Sequence, residues 1–145
     1  MDLPRMEHVS IVVRDLGAAI EFLEELGFES QGRASVEGDW VGRIIGLEGV
    51  HSDIAMMDTP DGKGRVELVE FHSPEAIEGN AGASANALGL RHLAIEVDDL
   101  KETLERLKPH GAELIGQIEN YQDTYLLCYV RGPEGAIFEL IESIG

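Results

Sequence analysis

The chain has 145 residues, 43% of them apolar and 27% charged, which fits one ordinary globular domain with a real core. Acidic residues outnumber basic ones by 28 to 11, and the formal net charge of −17 argues against nucleic acids and anionic membranes as partners. No run of about 18 apolar residues is present to span a membrane. The single cysteine, Cys128, excludes an intramolecular disulfide, and the first residues lack the layout of a secretory signal. We therefore expect a cytoplasmic protein.

Two segments of the chain repeat each other closely. Residues 8–16 have the sequence HVSIVVRDL and residues 92–100 have the sequence HLAIEVDDL, with histidine, isoleucine, valine, aspartate and leucine at matching positions. The two histidines, His8 and His92, open their segments. A repeat of this kind indicates two copies of one structural module.

A second pair of segments repeats further along each half. Residues 66–70 are VELVE and residues 138–142 are FELIE, and each segment follows a turn that contains proline and glycine. The matching glutamates are Glu67 and Glu139, and the interval from histidine to glutamate is longer in the first half than in the second. The repeat thus extends over nearly the whole chain, with an additional segment in the first half.

Each half shows the pattern of one strand, one helix and three further strands. The helix begins at an aspartate, a favourable N-cap residue, and ends near a glycine. We expect the helices near 15–26 and 99–109, and the later strands near 28–35, 52–58, 65–71, 113–119, 124–131 and 136–142. The segment 73–89, rich in Ala, Gly, Asn and Ser, is predicted to connect a first module of about 5–72 to a second of about 90–145 within one domain, 1–145.

The alternation of side chains in the first strand predicts where its histidine points. Val9, Ile11 and Val13 form one face, against which the helix packs. His8 then lies on the opposite, concave face of the sheet, and the same reasoning places His92 on the concave face of the second module.

Glu67 and Glu139 lie between apolar residues of strands, where a carboxylate is costly to bury unless it is paired or metal-bound. Taken alone, each glutamate is more typical of a solvated sheet face, and a lone strand histidine is more often a core residue than a ligand. The repeat favours a joint role, because a pseudo-twofold axis would bring both histidines and both glutamates together. Two imidazoles and two carboxylates suit a divalent zinc, nickel, cobalt, manganese or iron ion.

The segments MEHVSIVVRDL, RVELVEF, GLRHLAIEVDDL and GPEGAIFELIE resemble the signature segments of the vicinal oxygen chelate superfamily, which includes glyoxalases, bleomycin resistance proteins and extradiol dioxygenases. The resemblance implies an α+β fold in which two βαβββ modules form a cup-shaped, partly open mixed sheet with the helices outside. It implies His8, Glu67, His92 and Glu139 as the ligands of one divalent metal. It also implies a homodimer, in which a metal site can be built from one chain or shared between two.

The His/Glu/His/Glu set resembles that of glyoxalase I, which isomerises the glutathione hemithioacetal of methylglyoxal through a metal-bound enediolate. This likeness implies a metal-dependent isomerase or lyase acting on a small oxygenated substrate, with Glu67 and Glu139 as catalytic, proton-transferring residues. Extradiol dioxygenases and fosfomycin-resistance enzymes use two histidines and one glutamate, so Glu67 argues against a simple match to either. The segment from Val36 to Ser52 differs from glyoxalase I, and its glutathione-binding residues have no evident counterpart.

Two alternatives to such an enzyme remain. One is a non-catalytic protein that binds a drug or metabolite, as bleomycin-resistance members of the superfamily do. The other is a non-haem iron dioxygenase that uses His8, His92 and Glu139.

Three residues are candidates for contact with the small-molecule substrate. Counting back from Pro60 and Pro133 pairs Met56 with Tyr129, and both would line the pocket near the metal if they face the cup. Trp40, in the additional segment of the first half, is either an ordinary core residue or part of a lid.

The remaining histidines and the repeated glutamates near the strand ends have plainer interpretations. His51, His72 and His110 are expected in loops or at a helix end, on the surface. Glu70 and Glu142 each follow a candidate ligand at an offset of three, so they are expected on the opposite face of the sheet.

Overall fold

In the computed structural model, which describes residues 3–145, the chain divides into two units with the boundary between Glu78 and Gly79. The elements of the first unit are β1 (Val9–Val12), α1 (Leu16–Leu26), β2 (Glu29–Glu37), α2 (Asp39–Ile45), β3 (His51–Asp58) and β4 (Arg65–Ser73). Those of the second unit are β5 (His92–Glu96), α3 (Leu100–Leu107), β6 (Glu113–Tyr121), β7 (Tyr125–Arg131) and β8 (Ile137–Ser143). Within residues 3–145, no helix is long and apolar enough to cross a membrane.

Both units contain a four-stranded mixed sheet of the same topology. The strand order is β1-β4-β3-β2 in the first unit and β5-β8-β7-β6 in the second. In each sheet the first strand of the unit pairs in parallel with the last, and all other pairs are antiparallel. The predicted α+β fold built from two βαβββ modules is therefore confirmed, with α2 as an insertion in the first.

The long helix of each unit begins as the sequence predicts. Asp15 accepts a hydrogen bond from the Ala18 backbone N–H at 3.0 Å, and Asp99 accepts one from that of Glu102 at 3.0 Å. α1 ends at Gly27, whose φ of 116° places it in the left-handed region. α3 is shorter than predicted, because a 3₁₀ turn that contains proline, Lys108–His110, follows it.

Glu70 and Glu142 add a second support to the same helix ends. The Glu70 carboxylate accepts a hydrogen bond from the Leu16 backbone N–H at 3.0 Å, and that of Glu142 accepts one from Leu100 at 2.6 Å. A carboxylate at a helix N-terminus satisfies an otherwise unbonded donor and interacts favourably with the helix dipole. Both glutamates thus lie on the helix-covered face of their sheets, as expected from their spacing.

Alternate residues of the central strands build the core of the first unit. Ile11, Ala55 and Leu68 are register partners across β1, β4 and β3, and the last two are fully buried beneath α1. Ser10 and Val12 are exposed, whereas Val9 and Ile11, which alternate with them, are partly buried. The predicted alternation of side chains between the two faces of the first strand is therefore correct. The strand itself begins at Val9, and His8 immediately precedes it.

One edge strand of each sheet, β2 in the first unit and β6 in the second, is interrupted by a bulge. The pairing of β2 with β3 shifts register between Ser30 and Arg33, and that of β6 with β7 between Ile115 and Glu119. A glycine with positive φ lies in each bulge, at 98° for Gly32 and 65° for Gly116. The two glycines have the same spacing along the chain as the repeated histidines, so the bulge belongs to the repeat.

The chain that enters the second unit is held by one arginine. Arg131 donates hydrogen bonds to the backbone carbonyls of Ala81 at 3.2 Å, Ala83 at 2.8 Å and Gly135 at 3.1 Å. The segment around Ala81 consequently packs against the turn before β8. A Cβ atom on Gly135 would overlap the Ala81 backbone, so this turn requires glycine for space as well as for its φ of 75°.

Candidate functional site

The first unit places His8 and Glu67 side by side. Glu67 is the register partner of Ser10, and therefore lies on the sheet face opposite the core positions Val66 and Leu68. The His8 Nε2 atom is 3.8 Å from the Glu67 Oε1 atom. Their side chains are 32% and 21% exposed, so the pair is sheltered yet reachable from solvent. We call this pair the first half-site.

The second unit repeats the arrangement with His92 and Glu139. Glu139 is the register partner of Ala94, which matches Ser10 in the repeat. The His92 Nε2 atom is 3.3 Å from the Glu139 Oε1 atom, and the side chains are 34% and 23% exposed. Exposure so close to that of the first pair indicates that both modules present the two groups in the same way. We call this pair the second half-site.

The two half-sites have different neighbours on the adjacent strand. Met56 is the register partner of Glu67, whereas Tyr129 is that of Glu139. The Tyr129 ring lies over His92, with ring centroids 4.9 Å apart and a tilt of 41°. This is a favourable geometry for two aromatic rings, and it restricts the motion of the imidazole.

Trp40 lies on α2, outside both half-sites as defined. Its side chain is 53% exposed, and its indole N–H donates to the Glu37 carbonyl at 3.1 Å. The interpretation of Trp40 as a core residue is therefore wrong, while its role as part of a lid stays a prediction.

The chemistry of each half-site fits a divalent metal. Metal–nitrogen and metal–oxygen bonds of about 2.0–2.2 Å place two neighbouring ligand atoms roughly 3.0–3.5 Å apart. The second half-site, at 3.3 Å, matches this separation, and the first, at 3.8 Å, is slightly wider. Among residues 3–145, no three His, Cys, Asp or Glu side chains form a group suited to a metal, so the candidate ligands occur as two separate pairs.

A series of ion-paired side chains adjoins the first half-site and was not predicted from the sequence. Arg65 donates to Asp58 through Nε at 2.7 Å and Nη2 at 3.1 Å, and through Nη1 to Glu7 Oε1 at 3.3 Å. The hydrogen bond with Arg65 lowers the pKa of Asp58, and the bond with Asp58 raises the pKa of Arg65. The Glu7 carboxylate also faces His8, with 3.6 Å between Glu7 Oε1 and His8 Nδ1.

His51 and His72 lie in strands β3 and β4, so their predicted placement in loops is wrong. Their rings are 5.0 Å apart, and His72 Nε2 is 3.0 Å from Asp53 Oδ2. The hydrogen bond with His72, followed by that from Ser35, lowers the pKa of Asp53. This cluster lies on the other side of the sheet from Glu67, because Asp53 is the register partner of Glu70.

Comparison with known proteins identifies the family of the chain. The model of the glyoxalase/bleomycin resistance protein/dioxygenase superfamily matches residues 7–129. A crystal structure of a glyoxalase family protein from Bacillus cereus is 47% identical, covers 100% of this chain and 97% of its own, and has a TM-score of 0.95. The YwbC protein of Bacillus subtilis is 28% identical over 142 residues, which are 95% of this chain and 97% of YwbC.

More distant structures share the fold. One is a variant of FosX, the fosfomycin resistance protein of Listeria monocytogenes, complexed with manganese(II) and 1S,2S-dihydroxypropylphosphonic acid. It is 16% identical, covers 96% of this chain and 90% of its own, and has a TM-score of 0.60. With a family match over most of its length and the repeated βαβββ topology, this chain belongs to the glyoxalase/bleomycin resistance protein/dioxygenase superfamily.

Proposed function

We propose that this chain is a metal-dependent enzyme of the glyoxalase type, an isomerase or lyase acting on a small molecule with two neighbouring oxygen atoms. The observation that carries the proposal is the repeated histidine–glutamate pair, with Nε2–Oε1 separations of 3.8 Å and 3.3 Å. A protein that only binds a ligand has no need of the same two metal-binding groups in both modules. The family to which the chain belongs includes glyoxalases by name, which agrees with this proposal.

His8, Glu67, His92 and Glu139 would together hold one divalent zinc, nickel, cobalt, manganese or iron ion. Two carboxylate charges offset those of the cation, which makes partly buried carboxylates tolerable. The manganese(II) bound to the FosX variant supports a divalent ion in this fold. When bound, the ion would act as a Lewis acid that polarises substrate oxygens and acidifies the C–H bond between them.

The side chains would then move the proton and hold the substrate. Glu67 and Glu139 are the candidate bases, since each carboxylate is close to a histidine and reachable from solvent. Met56 and Tyr129 lie beside these carboxylates and would form the adjoining pocket wall. Trp40 would contact the substrate from α2.

Metal analysis tests the site first. Protein stripped with a chelator is reloaded with zinc, nickel, cobalt, manganese or, without oxygen, ferrous iron, and the bound metal is measured. We expect about one ion per chain, lost in both His8→Ala and His92→Ala, because one ion needs ligands from both half-sites. Loss of half the metal in each variant would show two independent sites, and absence of metal from the parent would favour a binding protein.

Hydrogen exchange tests the reaction. Metal-loaded protein is incubated in D₂O with hydroxycarbonyl compounds, including the hemithioacetal of methylglyoxal and glutathione, and deuterium at the C–H position is followed by NMR. We expect incorporation that requires metal and is lost in Glu67→Gln or Glu139→Gln. Metal binding without exchange by any compound would contradict the isomerase, and oxygen consumption with iron would favour the dioxygenase.

A homodimer forms part of the proposal. Several apolar residues on and after α2 are exposed and could associate despite the acidic surface: Ile44, Ile45 and Leu47. Sedimentation at micromolar concentration should give twice the chain mass of 15.8 kDa, and a mass equal to that of one chain would contradict the dimer.

A further inference from the structure

The two nitrogen atoms of the His8 ring have different surroundings. Nε2 faces the Glu67 carboxylate at 3.8 Å. Nδ1 is buried and finds no hydrogen-bond partner among residues 3–145, but it has a carboxylate oxygen of Glu7 at 3.6 Å. A buried polar atom without a partner is costly, and a rotation that shortens this distance by a few tenths of an ångström would supply one.

The Glu7 carboxylate is largely exposed but has a fixed partner. The same oxygen that faces His8 accepts a hydrogen bond from Arg65 Nη1 at 3.3 Å. Arg65 is itself anchored, since its Nε and Nη2 atoms bind both carboxylate oxygens of Asp58, its register partner on β3. Two-point binding between guanidinium and carboxylate fixes the orientation of both groups. Glu7 is thereby directed toward the His8 ring.

We propose that Glu7 is a positioning residue for His8. Its carboxylate accepts a hydrogen bond from Nδ1–H, which leaves Nε2 as the unprotonated nitrogen on the side of Glu67. A carboxylate behind a histidine selects the tautomer and ring orientation that a metal requires. The consequence for metal binding rests on the proposed function, whereas the choice of tautomer does not.

The second module has no glutamate at the position that corresponds to Glu7. The residue before His92, which matches Glu7 in the repeat, is Arg91, and a guanidinium cannot accept a hydrogen bond. His92 is instead covered by the Tyr129 ring. The proposed role of Glu7 is therefore confined to the first half-site, and His92 provides an internal control.

The tautomer of each histidine is measured first, in metal-free protein labelled with ¹⁵N in its histidines. Long-range ¹H–¹⁵N spectra at about pH 8.5, where ordinary imidazoles are neutral, distinguish the Nδ1–H from the Nε2–H form. We expect His8 in the Nδ1–H form in the parent and a shift toward the Nε2–H form in Glu7→Ala. Glu7→Gln should preserve the parent form, because the amide oxygen still accepts. The His92 signals should not change.

Metal affinity gives the second readout. Loss of a carboxylate of this kind typically weakens metal binding roughly 10–100-fold. We expect a loss in that range for Glu7→Ala and a smaller one for Glu7→Gln, at unchanged thermal stability of the metal-free protein. The proposal would be overturned if His8 of the parent carried its proton on Nε2. It would also be overturned if the His8 tautomer were the same in Glu7→Ala as in the parent. A parent that binds no metal but responds in its tautomer would instead overturn the proposed function and leave the role of Glu7 intact.

Discussion

The histidine of the first half-site has a carboxylate and a guanidinium beside it, whereas that of the second has an aromatic ring. Glu7 and Arg65 occupy the surroundings of His8, and Tyr129 covers His92. Both modules carry the same pair of residue types, one histidine and one glutamate, and the side-chain exposures of the two pairs are nearly equal. The difference therefore concerns how each imidazole is held.

Features shared by the two modules belong mainly to the fold. Aspartate N-caps, glutamates that bind the first helical N–H, and glycine bulges in the outer strands all recur at matching positions. Apart from the insertion of α2 in the first module, differences occur around the half-sites and in the connection between modules. Asp58, which anchors Arg65, corresponds to Arg131, which holds the backbone at Ala81 and Ala83. The same position thus contributes to the charged side chains beside His8 in the first module and holds the connecting backbone in the second.

The strongest test of equivalence between the half-sites is the removal of one carboxylate from each. Glu67→Gln and Glu139→Gln should both weaken metal binding by more than the roughly 100-fold upper range of an outer-shell change. The matched controls are Glu70→Gln and Glu142→Gln, in which the amide oxygen can still accept from the helix N–H. Isothermal titration with the preferred metal measures all four.

An unequal result would be informative in its own right. Retention of metal by Glu67→Gln, with loss in Glu139→Gln, would fit the dioxygenase alternative, in which two histidines and one glutamate suffice. Loss of metal in Glu70→Gln with retention in Glu67→Gln would show that the assigned ligand face is wrong.

The turns before the last strands should differ in their tolerance of a side chain. Gly62 and Gly135 have similar φ values, 72° and 75°, but a Cβ atom has open space at Gly62 and meets the Ala81 backbone at Gly135. Gly62→Ala should cost about 1–2 kcal/mol for the left-handed conformation alone. Gly135→Ala should cost about 1–3 kcal/mol more because of overpacking. Equal losses in urea denaturation would show that Ala81 moves aside freely.

The aromatic cover of His92 should contribute more to stability than its counterpart in the first module. Tyr129→Leu should lower the free energy of unfolding by about 1 kcal/mol through the lost ring contact. Met56→Leu conserves volume and should cost less, and Tyr129→Phe should retain the ring contact. If Tyr129→Leu and Met56→Leu lower the free energy of unfolding equally, the ring contact with His92 does not stabilise the fold.

The smallest expected effect is that of the exposed pair between Asp58 and Arg65. Because Arg65 lowers the pKa of Asp58 in the folded state, the pair stabilises the fold above the unfolded-state carboxyl pKa of about 3.9. This stabilisation is lost as pH falls through the lower, folded-state pKa. The melting temperature of Asp58→Asn should be slightly below that of the parent at neutral pH, and the difference should shrink as the pH falls below about 3.9. A difference that increases toward acid pH would contradict this account.

The repeat in the sequence was enough to predict most elements and the partner of each histidine. Helix boundaries at Asp15 and Asp99 follow from local capping chemistry, and the face of Glu67 follows from strand alternation, so both were accessible without a structure. The short helix α2 was missed because it offers no amphipathic pattern. It buries only Val41, and its N-cap residue, Gly38, has no side chain to form a capping hydrogen bond.

Contacts between distant strands could not be predicted in the same way. The pairing of Asp58 with Arg65 and the approach of Arg65 to Glu7 depend on the exact register and on side-chain rotamers. The placement of His51 and His72 in loops failed because both lie at the ends of strands longer than the predicted ones. Local sequence specifies element ends less precisely than their interiors.

The bulges at Gly32 and Gly116 have a consequence for how this protein behaves at high concentration. β2 and β6 leave one row of backbone N–H and C=O groups without a strand partner, and such rows can recruit a strand from another molecule. Each bulge breaks the regular spacing of that row, and an incoming strand could pair with a short stretch only. Acidic side chains on both strands, among them Glu29 and Glu113, would also repel a second copy. Both modules thus share a feature that disfavours strand pairing with another molecule at the β2 and β6 edges.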